Sequence, residues 1–213
     1  MTKRALIVYG GWDGHEPEKT TQRWAGVLER HGFDVTRSSR LDAFLQAASY
    51  DLVIPNWTMG TLDSEQERAL EAAVRGGVGL AGWHGGMGDA FRGSPTYQYM
   101  VGGQWVAHPG NLLEYTVNVL PSGDPITAGL EGFTVRSEQY YLHVDPENEV
   151  LATTTFTGEF DPWIAGTTMP VAWKRRHGAG RVYYCALGHQ DHEFDVPETF
   201  TLLERGLLWA ARG

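Results

Sequence analysis

The sequence predicts an α/β fold in which a mostly parallel central sheet is covered by helices on both faces. Residues 1–89 alternate between short apolar strands and amphipathic helices, which is the order that produces a parallel sheet. The apolar run at 78–81 is typical of a strand that is buried on both of its faces. A chain of 213 residues suits one domain with a sizeable core, so we expect a single domain over 1–213.

The first half of the chain contains four predicted strands with helices between them. The helices carry apolar residues at helical spacing, as Trp24, Val27 and Leu28 do. Acidic residues at Asp63 and Glu65 complement the dipole of a helix that begins there. The predicted strands are 4–9, 33–36, 52–57 and 78–81, and the predicted helices are 18–30, 41–48 and 63–75.

The second half departs from this alternation after Asp89. Turn-forming residues separate its elements, and the apolar–polar alternation at 114–120 indicates a half-exposed strand. The predicted elements are a helix at 91–101, a loop at 102–109, a strand at 114–120, an extended segment at 133–142, a strand at 149–156, a hairpin of 169–174 with 181–187, and an amphipathic helix at 197–212.

The segment after the strand at 78–81 reads Gly82-Trp83-His84-Gly85-Gly86. Its Gly-x-His-x-Gly spacing is that of a nucleophile elbow, with histidine at the position where a hydrolase carries serine. A strand-to-helix turn this sharp imposes strained backbone angles on its central residue, and glycines on both sides avoid clashes. We therefore expect His84 to project over the carboxyl end of the sheet, where open α/β folds bind their ligands.

The composition argues against several classes of function. A net charge of −9 disfavours non-specific binding to nucleic acid or to anionic membranes. No apolar run approaches the roughly 20 residues of a membrane span, and the apolar stretch at 5–9 is too short for a signal peptide, so we expect a cytoplasmic protein. The sole cysteine, Cys185, lies in an apolar run, which predicts a buried and unreactive thiol. No phosphate-binding glycine pattern occurs in a suitable strand–helix context, so no nucleotide cofactor is expected.

Histidines are concentrated in the predicted loops and strand ends that a parallel sheet brings to one edge. Histidine is the commonest metal ligand and carries protons near neutral pH, and nearby carboxylates can orient imidazoles or bind a cation themselves. No pair has a diagnostic spacing such as H-E-x-x-H, so the metal hypothesis depends on the fold. The histidines in question are His15, His84, His108, His143 and His189, and the nearby carboxylates are Glu16, Asp89, Glu138, Asp145, Asp191 and Glu193. By contrast, His31 and His177 lie next to glycines in predicted surface turns and are interpreted as solvated.

Seven short motifs, in order, extend over nearly the whole chain. They are Gly10–Glu16 (GGWDGHE), Gly76–Gly86 (GGVGLAGWHGG), Gly102–Pro109 (GGQWVAHP), Asp124–Leu130 (DPITAGL), Ser137–Tyr141 (SEQYY), Pro170–Trp173 (PVAW) and Gly180–His189 (GRVYYCALGH). Together they resemble the ThuA-like (trehalose utilisation) family of the class I glutamine amidotransferase-like superfamily. The resemblance implies a flavodoxin-like three-layer sandwich and a role in the catabolism of disaccharides or keto-sugars.

The elbow is the point at which the chain departs from the amidotransferases. Their elbow reads G-x-C-x-G, and a His-x-Glu pair follows their last strands. Here His84 stands in the place of the cysteine, and His189-Gln190-Asp191 roughly echoes the His-x-acid pair. Without the thiol no glutamyl-thioester can form, so we expect no glutaminase activity.

We therefore hypothesise an enzyme that processes a sugar or keto-sugar by acid/base chemistry, and the histidines allow a divalent metal such as zinc as its cofactor. Enolisation next to a ketone, or elimination of a glycosidic oxygen, needs one proton removed and another delivered, and histidine–carboxylate pairs do both near neutral pH. In this hypothesis His84 is a base or ligand at the elbow, and Asp191 orients His189. The predicted catalytic residues are His84, His189, Asp191 and Glu138; the predicted substrate-binding residues are Trp57, Trp83, Trp105, His108 and Tyr140; the predicted metal ligands are His15, His143 and His84.

Two other classes of function stay open from the sequence. A non-catalytic sugar-binding protein with the same fold predicts ligand binding without turnover and without a metal. A structural subunit of a larger complex would use exposed aromatic side chains as its interface, and a homo-oligomer is one such assembly. A small sugar is the expected ligand, and neither nucleic acid nor a membrane is an expected partner.

Overall fold

The architecture is a nine-stranded sheet with helices on both faces, seen in a computed structural model that describes residues 2–213. The strands are β1 (Arg4–Gly11), β2 (Asp34–Ser38), β3 (Leu52–Thr58), β4 (Gly79–Trp83), β5 (Gly103–Ala107), β6 (Leu112–Val119), β7 (Phe133–Glu138), β8 (Tyr141–Val144), β9 (Glu149–Thr155), β10 (Thr168–His177) and β11 (Gly180–Cys185). The α-helices are α1 (Pro17–Arg30), α2 (Ser64–Arg75), α3 (His84–Gly88), α4 (Pro95–Val101) and α5 (Pro197–Ala210). Short 3-10 helices cover Asp13–His15, Leu41–Ser49, Pro162–Ile164 and Asp191–Asp195.

The strand order is β2-β1-β3-β4-β11-β10-β9-β6-β7, with β5 and β8 forming a separate two-stranded sheet. The strands from β2 to β11 pair in parallel, and those from β11 to β7 pair antiparallel. The chain moves from β1 outward to β2 and then returns past β1 to β3, so the order reverses between β1 and β3. A crevice forms at such a reversal, outside the carboxyl ends of the strands, and it is the usual ligand site of open α/β sheets.

Helices α1 and α5 share one face of the sheet, where the rings of Trp24 and Phe200 stack with centroids 5.2 Å apart. Helix α2 packs against α4 and the 3-10 helix at Leu41–Ser49. An Asp63 capping box begins α2: its side chain accepts hydrogen bonds from the backbone of Glu65 and Gln66. The three-layer α/β arrangement with a mostly parallel sheet is thus confirmed. None of the helices in residues 2–213 combines the length and the apolar character needed to cross a bilayer.

The predicted elements differ from the structure mainly in the second half of the chain. The prediction of a loop at 102–109 is wrong, because Gly103–Ala107 forms β5 and pairs with β8. The extended segment at 133–142 is interrupted at Gln139 and Tyr140, which separate β7 from β8. In the first half, the short helix at 41–48 is a 3-10 helix. The first two differences involve strands whose pairing partners are distant in sequence, so local periodicity carries little information about them.

Candidate functional site

The elbow between β4 and α3 holds its central histidine in a strained conformation. His84 has a φ of 43°, which lies in the left-handed region that residues with a side chain seldom adopt. A Cβ atom at Gly82 would lie 2.9 Å from Met87 Cβ, one at Gly85 would lie 2.4 Å from His15 Cε1, and one at Gly86 would lie 2.4 Å from Asn56 Oδ1. The predicted strain at the central residue and the need for flanking glycines are therefore confirmed.

The site is a buried group of three imidazoles around one carboxylate, formed by His15, His84, Glu138 and His189 and called the His–Glu cluster below. One ligand atom from each of these residues lies within 4.8 Å of the others. Glu138 Oε2 is 3.1 Å from His84 Nε2, 3.3 Å from His189 Nδ1 and 4.0 Å from His15 Nε2.

Each member of the cluster arrives from the carboxyl-end side of a different strand. His15 follows β1, His84 follows β4 and His189 follows β11, while Glu138 is the last residue of β7. Parallel pairing aligns the ends of β1, β4 and β11 along one edge of the sheet, and this alignment brings together residues that are far apart in sequence.

The hydrogen bonds of His84 imply a positive charge at the centre of the cluster. His84 Nδ1 lies 2.8 Å from the carbonyl oxygen of Ala186, which can only accept, so Nδ1 carries the proton of this bond. In the neutral ring Nε2 is then a bare lone pair, 3.1 Å from Glu138 Oε2. Two electron-rich atoms at this distance require a positive charge between them, either a proton that they share or a cation that the cluster binds.

The two most perturbed groups of the cluster are in the protonation states that a cation ligand needs. Burial, together with the nearby His84 and His189, lowers the pKa of His15 to about 2, so this ring is neutral. Burial alone would raise the pKa of Glu138, but the contacts from His189 and His84 outweigh it and lower that pKa well below the usual value. His189 Nδ1 is buried without a hydrogen-bond partner among residues 2–213 and faces Glu138.

These separations are compatible with a single bound cation. Ligand bonds of about 2.0–2.1 Å in tetrahedral geometry place neighbouring ligand atoms about 3.3 Å apart. The distances from Glu138 Oε2 to the three imidazole nitrogens, 3.1 to 4.0 Å, lie around this value. Three histidine nitrogens and one carboxylate oxygen are also ligands that zinc accepts. The cluster can therefore hold a divalent metal.

A second buried carboxylate, that of Glu193, holds the two segments of the chain that carry Glu138 and His189. Glu193 Oε2 accepts hydrogen bonds from Ser137 Oγ at 2.7 Å, from the backbone nitrogen of His189 at 3.0 Å and from that of Gly188 at 3.3 Å. Ser137 precedes Glu138 on β7, so this carboxylate ties the strand that carries Glu138 to the loop that carries His189. Glu193 was one of six acidic residues named from the sequence as able to orient imidazoles or bind a cation, and it was not assigned a catalytic role.

A pocket of about 180 Å³ opens over the cluster and is called the site pocket below. His108 Nε2 lies 3.6 Å from Glu138 Oε1, and the ring of Tyr140 stacks on His84 with centroids 4.1 Å apart. Several wall residues were not predicted from sequence, among them Trp12, which is 46% exposed, and Arg92, whose guanidinium lies 4.7 Å from the centre of a Trp105 ring. The pocket is lined by Trp12, His15, Thr58, Met59, Asp89, Arg92, Trp105, His108, Glu138 and Tyr140.

Asp191 does not orient His189 as predicted. Its two carboxylate oxygens accept hydrogen bonds from Arg23 at 2.8 and 2.9 Å, and its backbone nitrogen donates to Glu16. His189 instead faces Glu138. The reason is the 3-10 helix that begins at Asp191, which turns this carboxylate toward α1. The role predicted for Asp191 is therefore corrected to a structural ion pair.

Three further predicted site residues lie outside the site. Trp83 is 1% exposed and packs between Trp24 and Phe194, so it has no free face for a sugar. Trp57 is half-buried and is not among the residues that line the site pocket. His143 is exposed on β8 and is not part of the His–Glu cluster, because alternation along the strand directs it away. Glu138 and His189 join His15 and His84 in place of His143.

The thiol of Cys185 plays no part in this site. It is buried on β11, and burial raises its pKa to about 12, which keeps it protonated near neutral pH. The prediction of a buried and unreactive thiol is confirmed.

The fold and the site together define a three-layer α/β protein with a histidine at the elbow between β4 and α3. The chain belongs to the ThuA family, described as trehalose utilisation, whose sequence model matches residues 4–210. A ThuA-like protein from Parabacteroides merdae ATCC 43184 superimposes with a TM-score of 0.80 at 19% identity, over 99% of this chain and 90% of that one. A ThuA-like protein from Bacteroides uniformis ATCC 8492 does so with a TM-score of 0.78 at 19% identity, over 97% and 89%.

A cytoplasmic protein from Salmonella typhimurium LT2 shares the fold more distantly, with a TM-score of 0.69 at 11% identity over 99% of this chain and 100% of that one. The search of curated proteins found no match. At these identities the solved structures establish the fold, and the assignment to the family comes from the sequence model.

Proposed function

We propose that this chain is an enzyme of disaccharide or keto-sugar catabolism that binds a divalent metal in the His–Glu cluster and carries out acid/base chemistry in the site pocket. The observation that carries the proposal is the convergence of three imidazole nitrogens on Glu138 Oε2 at 3.1 to 4.0 Å. Membership of a family described as trehalose utilisation supports the sugar as substrate class.

A metal ion satisfies this cluster better than protons do. One added proton between His84 and Glu138 would complete that hydrogen bond, whereas His15 Nε2 would still lie 4.0 Å from Glu138 Oε2, beyond hydrogen-bond distance. A shared cation is ligated by all four residues at once and offsets the cost of burying an ionised carboxylate. The hydrogen bonds of His15 Nδ1 with Thr58 and of His84 Nδ1 with Ala186 fix the orientation of the two rings, as hydrogen bonds to the other ring nitrogen do for histidines that bind metals.

The groups left to move protons lie on the open side of the cluster. A bound divalent metal would supply a Lewis acid and lower the pKa of coordinated water. His108 is part-exposed and lies near Glu138 Oε1, which places an imidazole between the cluster and the space a substrate would occupy. We assign His108 the exchange of protons with the substrate, and Tyr140 the positioning of His84 through ring stacking.

The walls of the site pocket favour a sugar ring. Trp12, Met59 and Trp105 provide apolar surface, while the ion pair of Arg92 with Asp89 provides polar groups at the rim. Sugars offer both a C–H face and hydroxyl groups, and pockets that combine apolar walls with a few fixed polar groups suit such ligands. We propose a cytoplasmic location as well, since a structural relative from Salmonella typhimurium is described as a cytoplasmic protein.

The test combines metal binding with turnover. Purified protein is stripped with a chelator and titrated with Zn²⁺ and Mn²⁺ by calorimetry, and turnover of 3-keto-disaccharides is then followed with each metal. Glu138→Gln and His84→Ala should each lower metal affinity by more than about 100-fold, since they remove direct ligands. His31→Ala is the matched control, because this ring contacts Glu204 away from the cluster.

Stoichiometric metal binding that both cluster variants abolish, together with turnover that depends on the metal, supports the proposal. Equal metal affinity in the wild type, the cluster variants and the control would remove the metal from it. Sugar binding without turnover at any metal would favour a non-catalytic binding protein instead.

A further inference from the structure

A second cavity lies where the sheet opens between β6 and β9, and it is called the sheet cavity below. Strand β6 pairs with β7 from Leu112 to Val117, but it pairs with β9 only at Asn118 and Val119. The two strands therefore diverge, and a cavity of about 290 Å³ fills the gap. From Leu112 to Val117 the β6 edge has no strand partner on the β9 side among residues 2–213, so backbone donors and acceptors face the gap.

The loop after β9 forms a defined outer wall for this cavity. Its two ends are joined by backbone hydrogen bonds between Phe156 and Thr167 at 3.0 Å and between Gly166 and Phe156 at 2.9 Å. The ring of Phe160 packs closely against Gly110, where an added Cβ atom would lie 2.5 Å from the ring. The wall is thus preformed, which lowers the entropic cost of binding a ligand.

The lining of the sheet cavity disfavours anionic ligands and offers hydrogen-bond acceptors to hydroxyl groups. It contains three carboxylates, Glu114, Glu159 and Asp161, and no lysine, arginine or histidine, so the binding of phosphate and carboxylate ligands is disfavoured. Carboxylates accept hydrogen bonds from hydroxyl groups. The ring of Phe160 is 57% exposed and offers an apolar face beside these acceptors. Aromatic and carboxylate groups in one small cavity match the two surfaces of a sugar ring.

A buried amide adds a polar group that the protein does not fully use. Gln139 is 4% exposed and lines the sheet cavity. Its Nε2 donates a hydrogen bond to Thr154 Oγ1 at 2.8 Å. Its Nε2 also lies 3.5 Å from the backbone oxygen of Thr155, and within residues 2–213 no hydrogen bond is made to its Oε1. This oxygen is therefore left as an acceptor for a ligand in the cavity that Gln139 lines.

The sheet cavity and the site pocket lie next to each other, because residues adjacent in sequence line one or the other. Gln139 lines the former, while its neighbours Glu138 and Tyr140 line the latter. In the same way, Pro109 lines the sheet cavity and His108 the site pocket. We propose that the sheet cavity binds an uncharged sugar ring and serves as a second glycosyl site of this protein. The choice of a carbohydrate rests on the proposed function, whereas the exclusion of anions rests on the lining alone.

Amide shifts in an NMR titration with trehalose and with glucose, in the presence of a metal chelator, test this assignment. We expect the backbone amides of Thr116, Gly158 and Phe160 to shift, because they belong to the cavity walls. Phe160→Ala should weaken binding at this site at least about tenfold, since it removes the exposed aromatic face. Tyr99→Ala, which removes an exposed ring on α4 outside both cavities, is the matched control and should bind as the wild type does.

The outcomes also separate this site from the metal chemistry. Shifts that persist in the chelated protein support the sheet cavity even if no metal-dependent turnover is found. The assignment is overturned if neither sugar shifts these amides at about 10 mM, a concentration that would detect even weak binding. It is equally overturned if shifts are confined to the site pocket, if Phe160→Ala binds like the wild type, or if glucose 6-phosphate binds more tightly than glucose.

Discussion

Acidification of the metal-free protein should destabilise it through His15. The pKa of this ring is lowered from 6.5 to about 2 in the folded protein, so folding favours its neutral form. The contribution of this neutral ring to stability is fully present above pH 6.5 and is lost as the pH falls from 6.5 toward 2, because only the unfolded chain takes up the proton there. Between about pH 7.5 and about pH 5 the loss amounts to about 2 kcal/mol in the free energy of unfolding.

The assay is urea unfolding in the presence of a chelator at the two pH values, for the wild type and for His15→Gln. The wild type should lose about 2 kcal/mol more than His15→Gln on acidification, because the variant has no ring to protonate. The comparison cancels contributions common to both proteins, including the carboxylates that begin to titrate at the lower pH. His31→Gln, which alters a ring outside the cluster, should show the same pH dependence as the wild type.

Parallel pH dependences in the wild type and in His15→Gln would refute this reasoning. Such a result would mean that the His15 ring gains a proton in the folded protein as readily as in the unfolded chain. Burial would then not lower the pKa of His15, and the ring would not be held neutral for metal binding.

Three further predictions concern the positioning of the cluster and the walls of the site pocket. Glu193→Gln should weaken metal binding about 10- to 100-fold in calorimetry, because the loop it holds is loosened; unchanged affinity would show that this carboxylate has no positioning role. Gly85→Ala should lower the free energy of unfolding, measured in urea, by about 1–3 kcal/mol, because the new Cβ would lie 2.4 Å from a ring carbon of His15. The control Gly93→Ala places its Cβ more than 4 Å from any atom beyond its neighbours in the chain and should leave the free energy of unfolding nearly unchanged. Trp12→Ala should raise KM for the sugar with little change in the free energy of unfolding. The control Trp163→Ala removes a 92% exposed ring outside the site pocket and should change neither quantity. An equal effect of both substitutions on KM would contradict the assignment of Trp12 to the pocket wall.

The metal hypothesis could be formed from the sequence, but the correct set of ligands could not. Local spacing suggested Asp191 as the partner of His189, because it echoes the His-x-acid pair of the amidotransferases. In the structure Arg23, 168 residues away, holds Asp191, and Glu138 from β7 faces His189 instead. A side chain's partner across a sheet edge depends on where strands end relative to one another, which no local pattern encodes.

The aromatic residues of the pocket show the same limit. Trp57, Trp83 and Trp105 were equivalent candidates in the sequence, since each was named only for the ability of its aromatic ring to stack on a sugar. Packing separates them: Trp83 is enclosed by the helices of one face, whereas Trp105 reaches the site pocket from β5. Burial is a property of the assembled layers, so a tryptophan's surroundings follow from tertiary contacts and not from its neighbours in the chain.

By itself the sequence determined the strand–helix order of the first half, the strained glycine-flanked elbow, the buried thiol and the family, because these depend on periodicity and backbone sterics over a few residues. Only the tertiary structure decided that residues 15, 84, 138 and 189 meet around one point. The physical reason is that parallel pairing aligns the ends of β1, β4 and β11, while the antiparallel extension of the sheet carries β7 back to the same edge. The distances between these ends are set by strand pairing over the whole sheet.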